Sequence, residues 1–384
     1  MKKLLFILPS FEVGGTVTSF LSLYDNIKDN YDIEVLTMSN DEDSSLAYTG
    51  KIKKSDLLIY SHVCAFNAVP WLSWKKPVVL LIKLIKRVFF LLGINFEPII
   101  YRRCAAKISV DYDFVIAYQE GCATRLASYL KHNNKIAWVH CDYQNYPENK
   151  HDVTYYTSFR KVVCVSEYTA RSFVKFCPCI SNKVVAINNL LDYDRIIRKS
   201  IEPILDSRFS ADTFIILSVG RIHPIKRFEV IPLIAKDLIS RGLTFKWYII
   251  GPNCDTPTYN ALQNRIDENA LRDKVICLGN RVNPYPYFKH SSLLVSTSYS
   301  EACPMIFHEA KALGLPMVSA NFGSSYEFID NGVTGVIVPL EDIADAIASL
   351  IVDKERYNNI KYNLSEKGYS NLNALNAIDH LLQM

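Results

Sequence analysis

The sequence predicts an α/β protein built from two doubly wound, parallel-sheet domains. Three observations carry this. Short apolar, β-branched runs alternate with helical patterns along the chain. Most of these runs are apolar throughout, as in strands covered on both faces. Thirteen such runs are too many for one ordinary doubly wound sheet, and 384 residues at about 100–200 per domain suit two.

The first strand is expected at 3–8. Its start, Met1-Lys2-Lys3, resembles that of a secretory signal. The apolar run is short, however, and ends at Pro9-Ser10-Phe11-Glu12 without a small-residue cleavage site. Further strands are expected at 33–38, 56–60, 114–118, 136–140, 162–165 and 184–187. A second set follows at 214–219, 245–250, 275–278, 293–297, 316–319 and 335–338. Helical periodicity falls between strands at 168–176, 229–240, 257–270 and 304–313. Residues 192–212 carry mixed charge and Pro203 with no strand pattern, so the domain boundary is placed there. The expected organisation is an N-terminal domain at 1–195, a C-terminal domain at 196–365 and a final helix at 366–384.

Composition narrows the class. Apolar residues at 49% and charged residues at 21% exclude a disordered chain. A net charge of +4 argues against a global electrostatic binder of nucleic acid. The ten cysteines are scattered, without zinc-ligand spacing, which points to reduced thiols in a cytoplasmic protein rather than a disulfide framework. No apolar stretch free of charge is long enough to span a bilayer.

Ligands of open α/β sheets bind at the carboxyl ends of strands, so the loops there are the candidates. After the first strand, Gly14-Gly15 precede a helix. Paired glycines let backbone amides approach a phosphate or sugar, although a plain tight turn explains them as well. No Gly-x-Gly-x-x-Gly follows any strand, which argues against a nicotinamide dehydrogenase. His140 ends the fifth strand, where it can donate to a hydroxyl or an anion and titrate near neutrality. A structural histidine bonded to a carbonyl is the alternative. After 214–219 comes Gly220-Arg221-Ile222-His223-Pro224-Ile225-Lys226-Arg227. The Arg fork and the Lys point charge suit a diphosphate, with a solvated basic loop as the alternative. After 293–297, Pro304 fits the opening turn of a helix whose first amides point at the strand end. Glu301 lies before this helix and Glu309 within it, eight residues apart. Facing one cleft, the two carboxylates can accept from a diol, though surface glutamates produce the same spacing.

Taken together, Gly220-Arg221-x4-Lys226, Glu301-x7-Glu309 and Asn331-Gly332-x-x-Gly335 resemble family-four retaining glycosyltransferases of the GT-B fold. Gly279-x-x-x-Asn283-Pro284-Tyr285, Val165-Ser166-Glu167 and Ile187-Asn188-Asn189 add to the resemblance. Trp138-Val139-His140-x-Asp142-Tyr143 is similar to members that build capsules, exopolysaccharides and O-antigens. The motifs run in family order from Gly14 to Gly335. The resemblance implies two Rossmann-like domains facing a central cleft, with the nucleotide-sugar on the C-terminal domain, the acceptor on the N-terminal domain and the last helix packing back onto the latter. It implies that Glu309 holds the ribose and Glu301 the donor sugar. Amides of Cys303 and Met305 flank Pro304, which has none to donate, and bind sugar hydroxyls. Arg221 and Lys226 above Gly220 hold the diphosphate, and the loop at Arg281-Val282 meets the base. His140 meets the donor sugar, and Gly14-Gly15 close on the diphosphate or the acceptor. A glycine common in the family after the loop lysine is here Arg227. No Asp-x-Asp cluster offers a divalent ion a seat, so neither metal nor cofactor is expected.

Residues 71–107 are strongly basic, at net +7, and twelve of the fifteen residues at 78–92 are apolar. Lys83, Lys86 and Arg87 share one side of a helix, opposite a broad apolar face and downstream of Trp71 and Trp74. That is the pattern of an in-plane membrane helix, with an amphipathic core helix as the alternative. The reading is thus a peripheral enzyme on the inner face of the cytoplasmic membrane. It would move a hexose or N-acetylhexosamine from a nucleotide-sugar, UDP-linked by resemblance, to a lipid-linked oligosaccharide of a surface polysaccharide. Its rivals are a GT-B nucleotide-sugar epimerase and a non-catalytic nucleotide-sugar-binding subunit.

Overall fold

Apolar runs flanked by helices hide both faces by pairing in parallel, and the chain does this twice. The structure is a computed structural model that describes residues 1–11, 14–39, 48–63, 75–146, 152–210, 213–367 and 370–383. In the first half, β1 (Lys2–Leu8), β2 (Tyr31–Thr37), β3 (Lys51–Lys54), β4 (Phe114–Ala117), β5 (Lys135–Val139), β6 (Lys161–Cys164) and β7 (Val184–Ala186) form one sheet. Its order is β3-β2-β1-β4-β5-β6-β7. In the second half, β8 (Phe214–Val219), β9 (Phe245–Ile250), β10 (Val275–Gly279), β11 (Leu293–Ser296), β12 (Met317–Ala320) and β13 (Val336–Val338) form another, in order β10-β9-β8-β11-β12-β13. Every strand pairing among the described residues is parallel. Strand order reverses between β1 and β4 in one sheet and between β8 and β11 in the other, and crevices open at such switch points.

Met1–Leu190 with Ala374–Met384 form one compact unit and Leu191–Asn373 the other. In the first unit, Lys2 donates to the Leu382 carbonyl at 2.7 Å, and Tyr31 donates to Asp379 at 3.3 Å. The final helix, Leu372–Gln383, buries Ile378, Leu381 and Leu382. Within the second unit, Asn371 exchanges two hydrogen bonds with the Leu191 backbone, at 3.0 and 2.7 Å.

Two elements differ from the sequence reading. The run at 56–60 is not a strand but the start of the helix Leu57–Val63. Asp56 Oδ1 accepts the Leu58 amide at 2.9 Å and so opens a helical turn, and a short apolar run fits either period. The strand is β3, an exposed Lys-Ile-Lys-Lys edge. Its charges discourage edge pairing and leave no apolar signal. Likewise, the stretch at 192–212 holds a helix, Tyr193–Ser200, whose Asp192 cap accepts the Arg195 amide at 3.0 Å. Ile196 of this helix and Leu191 just before it pack with Met305 and Ala312.

Two glycines fix the carboxyl end of the second sheet. Gly220 and Gly251 follow β8 and β9 with φ of +155° and +153°, and a Cβ on Gly251 would overlap the Gly220 carbonyl oxygen. The Gly220 amide in turn donates to the Ile250 carbonyl at 2.9 Å. At Gly15 a Cβ would meet nothing within 4 Å. Gly251→Ala is therefore expected to lose about 2 kcal/mol or more of stability. Gly15→Ala, at the start of a helix, is expected to lose none. Urea unfolding of the two variants checks this, and equal losses would contradict the crowding at Gly251.

Candidate functional site

The second unit's switch point lies between β8 and β11, and the two loops that leave it carry the expected basic and acidic groups. After β8 the chain turns at Gly220, exposes Arg221 and makes a single 3-10 turn at Pro224–Lys226. A Cβ on Gly220 would sit 3.2 Å from Lys226 Cε, so the glycine makes room for the lysine side chain. Arg227 then adopts a left-handed conformation, φ 52° and ψ 34°, which a glycine accommodates without strain. Its guanidinium stacks over the Tyr299 ring, 4.6 Å from the centroid.

After β11, three bonds tie the acidic loop to the basic one. Lys226 Nζ pairs with Glu301 Oε1, both side chains being largely buried. Thr297 donates to the Lys226 carbonyl at 2.7 Å, and the Tyr299 amide donates to the Ile225 carbonyl at 2.8 Å. Ser298 donates to Glu301 at 2.8 Å, and Ser324 donates to the Glu301 carbonyl at 2.7 Å. Pro304 caps the helix Met305–Ala312 from one place outside it. The amides of its first turn lack carbonyl partners within the helix. Met305 is buried, and Cys303 Sγ lies 3.4 Å from His308 Nε2.

Glu309 is buried on this helix, with the Tyr285 hydroxyl donating to it at 3.4 Å. Burial pushes its carboxyl up to about 7. Arg281, expected near a base, spends its guanidinium on Asp206 and on the Tyr287 hydroxyl at 3.2 Å. The two arginines Arg208 and Arg281 hold the Asp206 carboxyl far below the usual range. Val282 beside it is fully exposed. No group of three or more metal-binding side chains occurs among the described residues.

Gly14, Gly15 and His140 belong to the first unit. Gly14 precedes the helix Gly15–Ile27 after β1, beside that sheet's switch point. His140 follows β5. Its Nε2 is buried without a hydrogen-bond partner, so its bond to the Tyr118 carbonyl is made by Nδ1–H, leaving Nε2 a lone-pair acceptor. Burial pushes the ring down to about 3. It therefore stays neutral at physiological pH, contrary to the expectation that it titrates near neutrality. The sequence reading missed Glu120, whose carboxylate accepts the His140 amide at 2.9 Å and is raised by burial. Its position after β4 at the switch point was the available signal. Tyr285 was visible only as a motif letter.

Residues 204–367 match the family described as glycosyl transferases group 1. The matched stretch lies within the second unit. Over 153 residues the chain is 28% identical to the D-inositol 3-phosphate glycosyltransferase of Kribbella flavida, a match covering 37% of this chain and 36% of that one. Over 160 residues it is 28% identical to the capsular polysaccharide biosynthesis glycosyltransferase CapM of Staphylococcus aureus, covering 40% of each. The chain thus spans well under half the length of these curated relatives. The crystal structure of Anabaena Alr3699/HepE in complex with UDP and glucose aligns over 100% of both chains, with TM-score 0.75 and 16% identity. That likeness is one of fold, and the fold of two Rossmann-like parallel sheets is GT-B.

The Glu309 environment has a consequence for stability. Its carboxyl rises from 4.5 unfolded to about 7 folded, so the folded chain keeps a proton that the unfolded chain releases. Stability therefore falls as pH rises from about 4.5 to 7, by about 3 kcal/mol in all at 1.36 per pKa unit. Glu309→Gln, uncharged and of the same shape, is expected to gain urea stability over the native chain at pH 8 but not at pH 4.5. Equal effects at both pH values would contradict a carboxylate strained by burial.

Proposed function

We propose that the protein is a retaining, metal-independent glycosyltransferase that moves a sugar from a UDP-sugar to a lipid-linked saccharide during surface polysaccharide synthesis. One observation carries the reading: the loops on either side of the second unit's switch point bring cations and carboxylates together, with Lys226 paired to Glu301. Leaving of the nucleotide puts negative charge on a diphosphate, and Arg221 and Lys226 supply fixed positive charge for it. Glu309 would accept the ribose hydroxyls. Glu301 and the amides at Cys303 and Met305 would hold the donor sugar. His140 Nε2 would accept from a sugar hydroxyl. The anomeric carbon's bond to the diphosphate oxygen breaks, the acceptor oxygen bonds that carbon on the same face, and the acceptor's proton passes to the leaving phosphate.

The UDP assignment and the saccharide acceptor take support from HepE, solved with UDP and glucose, and from CapM, named for capsular polysaccharide biosynthesis. A lipid-linked acceptor places the work at the inner face of the cytoplasmic membrane. No helix among the described residues is long and apolar enough to cross a membrane.

Nucleotide release from UDP-, GDP- and ADP-sugars, with and without a membrane extract holding lipid-linked acceptors, tests the reading. Acceptor-stimulated release from a UDP-sugar is expected, unchanged by a metal chelator and reduced about 100-fold in Arg221→Ala and Glu309→Ala. Release without acceptor, with the sugar epimerised, would favour the epimerase. UDP binding without any release would overturn transfer.

A further inference from the structure

The helix Lys75–Leu91 presents a row of apolar side chains outward. Leu80, Leu84, Val88 and Leu91 recur at i, i+4, i+8 and i+11, which at 3.6 residues per turn makes one ridge. All four are exposed, from 47% at Val88 to 76% at Leu91. Leu81, Ile85 and Leu92 form an exposed row beside them. The helix is held from the other side: Val79 is fully buried and packs with Tyr60, and Lys86 pairs with Glu97 at 2.5 Å.

The cations do not lie opposite the exposed apolar face, as the sequence suggested. By the same helical geometry Arg87, two turns from Leu80, and Lys83 flank the ridge, and the face opposite it is the buried one. Arg87 is exposed and Lys83 half-buried. Trp71 and Trp74 lie outside the described residues.

We propose that this helix docks in the plane of an anionic bilayer, with the Leu80–Leu91 ridge in the headgroup–acyl boundary and Arg87 and Lys83 at the phosphates. An exposed apolar stripe flanked by cations is what such a surface binds, and anionic lipid draws each nearby Lys or Arg. The charge selects the occupant. A second copy of the chain on the same ridge would bring two segments of net +7 face to face. The inference does not depend on sugar transfer, and its test uses neither nucleotide nor acceptor.

The test is flotation of the full chain with phosphatidylcholine vesicles, with and without phosphatidylglycerol. The native chain is expected to float with the anionic vesicles only. Leu84→Asn with Val88→Asn, and separately Arg87→Glu, are each expected to reduce that partitioning about tenfold, with melting unchanged because all three sites are exposed. The proposal is overturned if the native chain does not bind anionic vesicles, or if it binds equally after the Asn substitutions. It is also overturned if light scattering shows a dimer that the Asn substitutions split.

Discussion

The pair between Lys226 and Glu301 joins the two loops that leave the second sheet at its point of reversal. Most of the site's geometry follows from it. Removing one partner would leave the other charge largely buried and uncompensated, which is strongly destabilising. The loops are therefore held together electrostatically as well as by the two bonds from Thr297 and Tyr299. Glycines make this arrangement possible. Gly220 leaves space for Lys226, and Gly251 lets the next strand's end pass against the Gly220 carbonyl.

Beyond that pair, burial sets the charge state of one group in each unit. Glu309 carries a carboxyl raised to about 7 and His140 a ring lowered to about 3, each chiefly because the charged form loses water. A carboxylate kept short of hydrogen bonds gains from a diol that supplies them. A neutral imidazole whose Nδ1–H is already committed offers only an acceptor. Each group, within its own unit, is thus able to bond a hydroxyl.

Much of the fold was legible because the interior strands of a doubly covered sheet must be apolar throughout. That requirement leaves a signal at β1, β4, β8 and β11. It leaves none at β3, an edge strand of Lys-Ile-Lys-Lys. Nor did it mark the helix Tyr193–Ser200, whose signals are its Asp192 cap and the charges at its ends. In the site, the residues in loops at strand ends could be named from the sequence. Their partners could not, because Asp206, Tyr285 and Glu120 act by meeting distant residues in space. Arg281 shows the limit: its type suited a ligand, but its guanidinium is taken by Asp206. Arg227 shows the reverse, since the left-handed backbone there explains why a glycine suits the position.

Amide hydrogen exchange of the full chain with and without UDP tests most directly whether the nucleotide is held by the loops after β8 and β11. The account predicts protection concentrated in peptides covering 219–227 and 298–312, with the 280–284 loop also slowed. Binding of UDP with protection confined to other segments would contradict it.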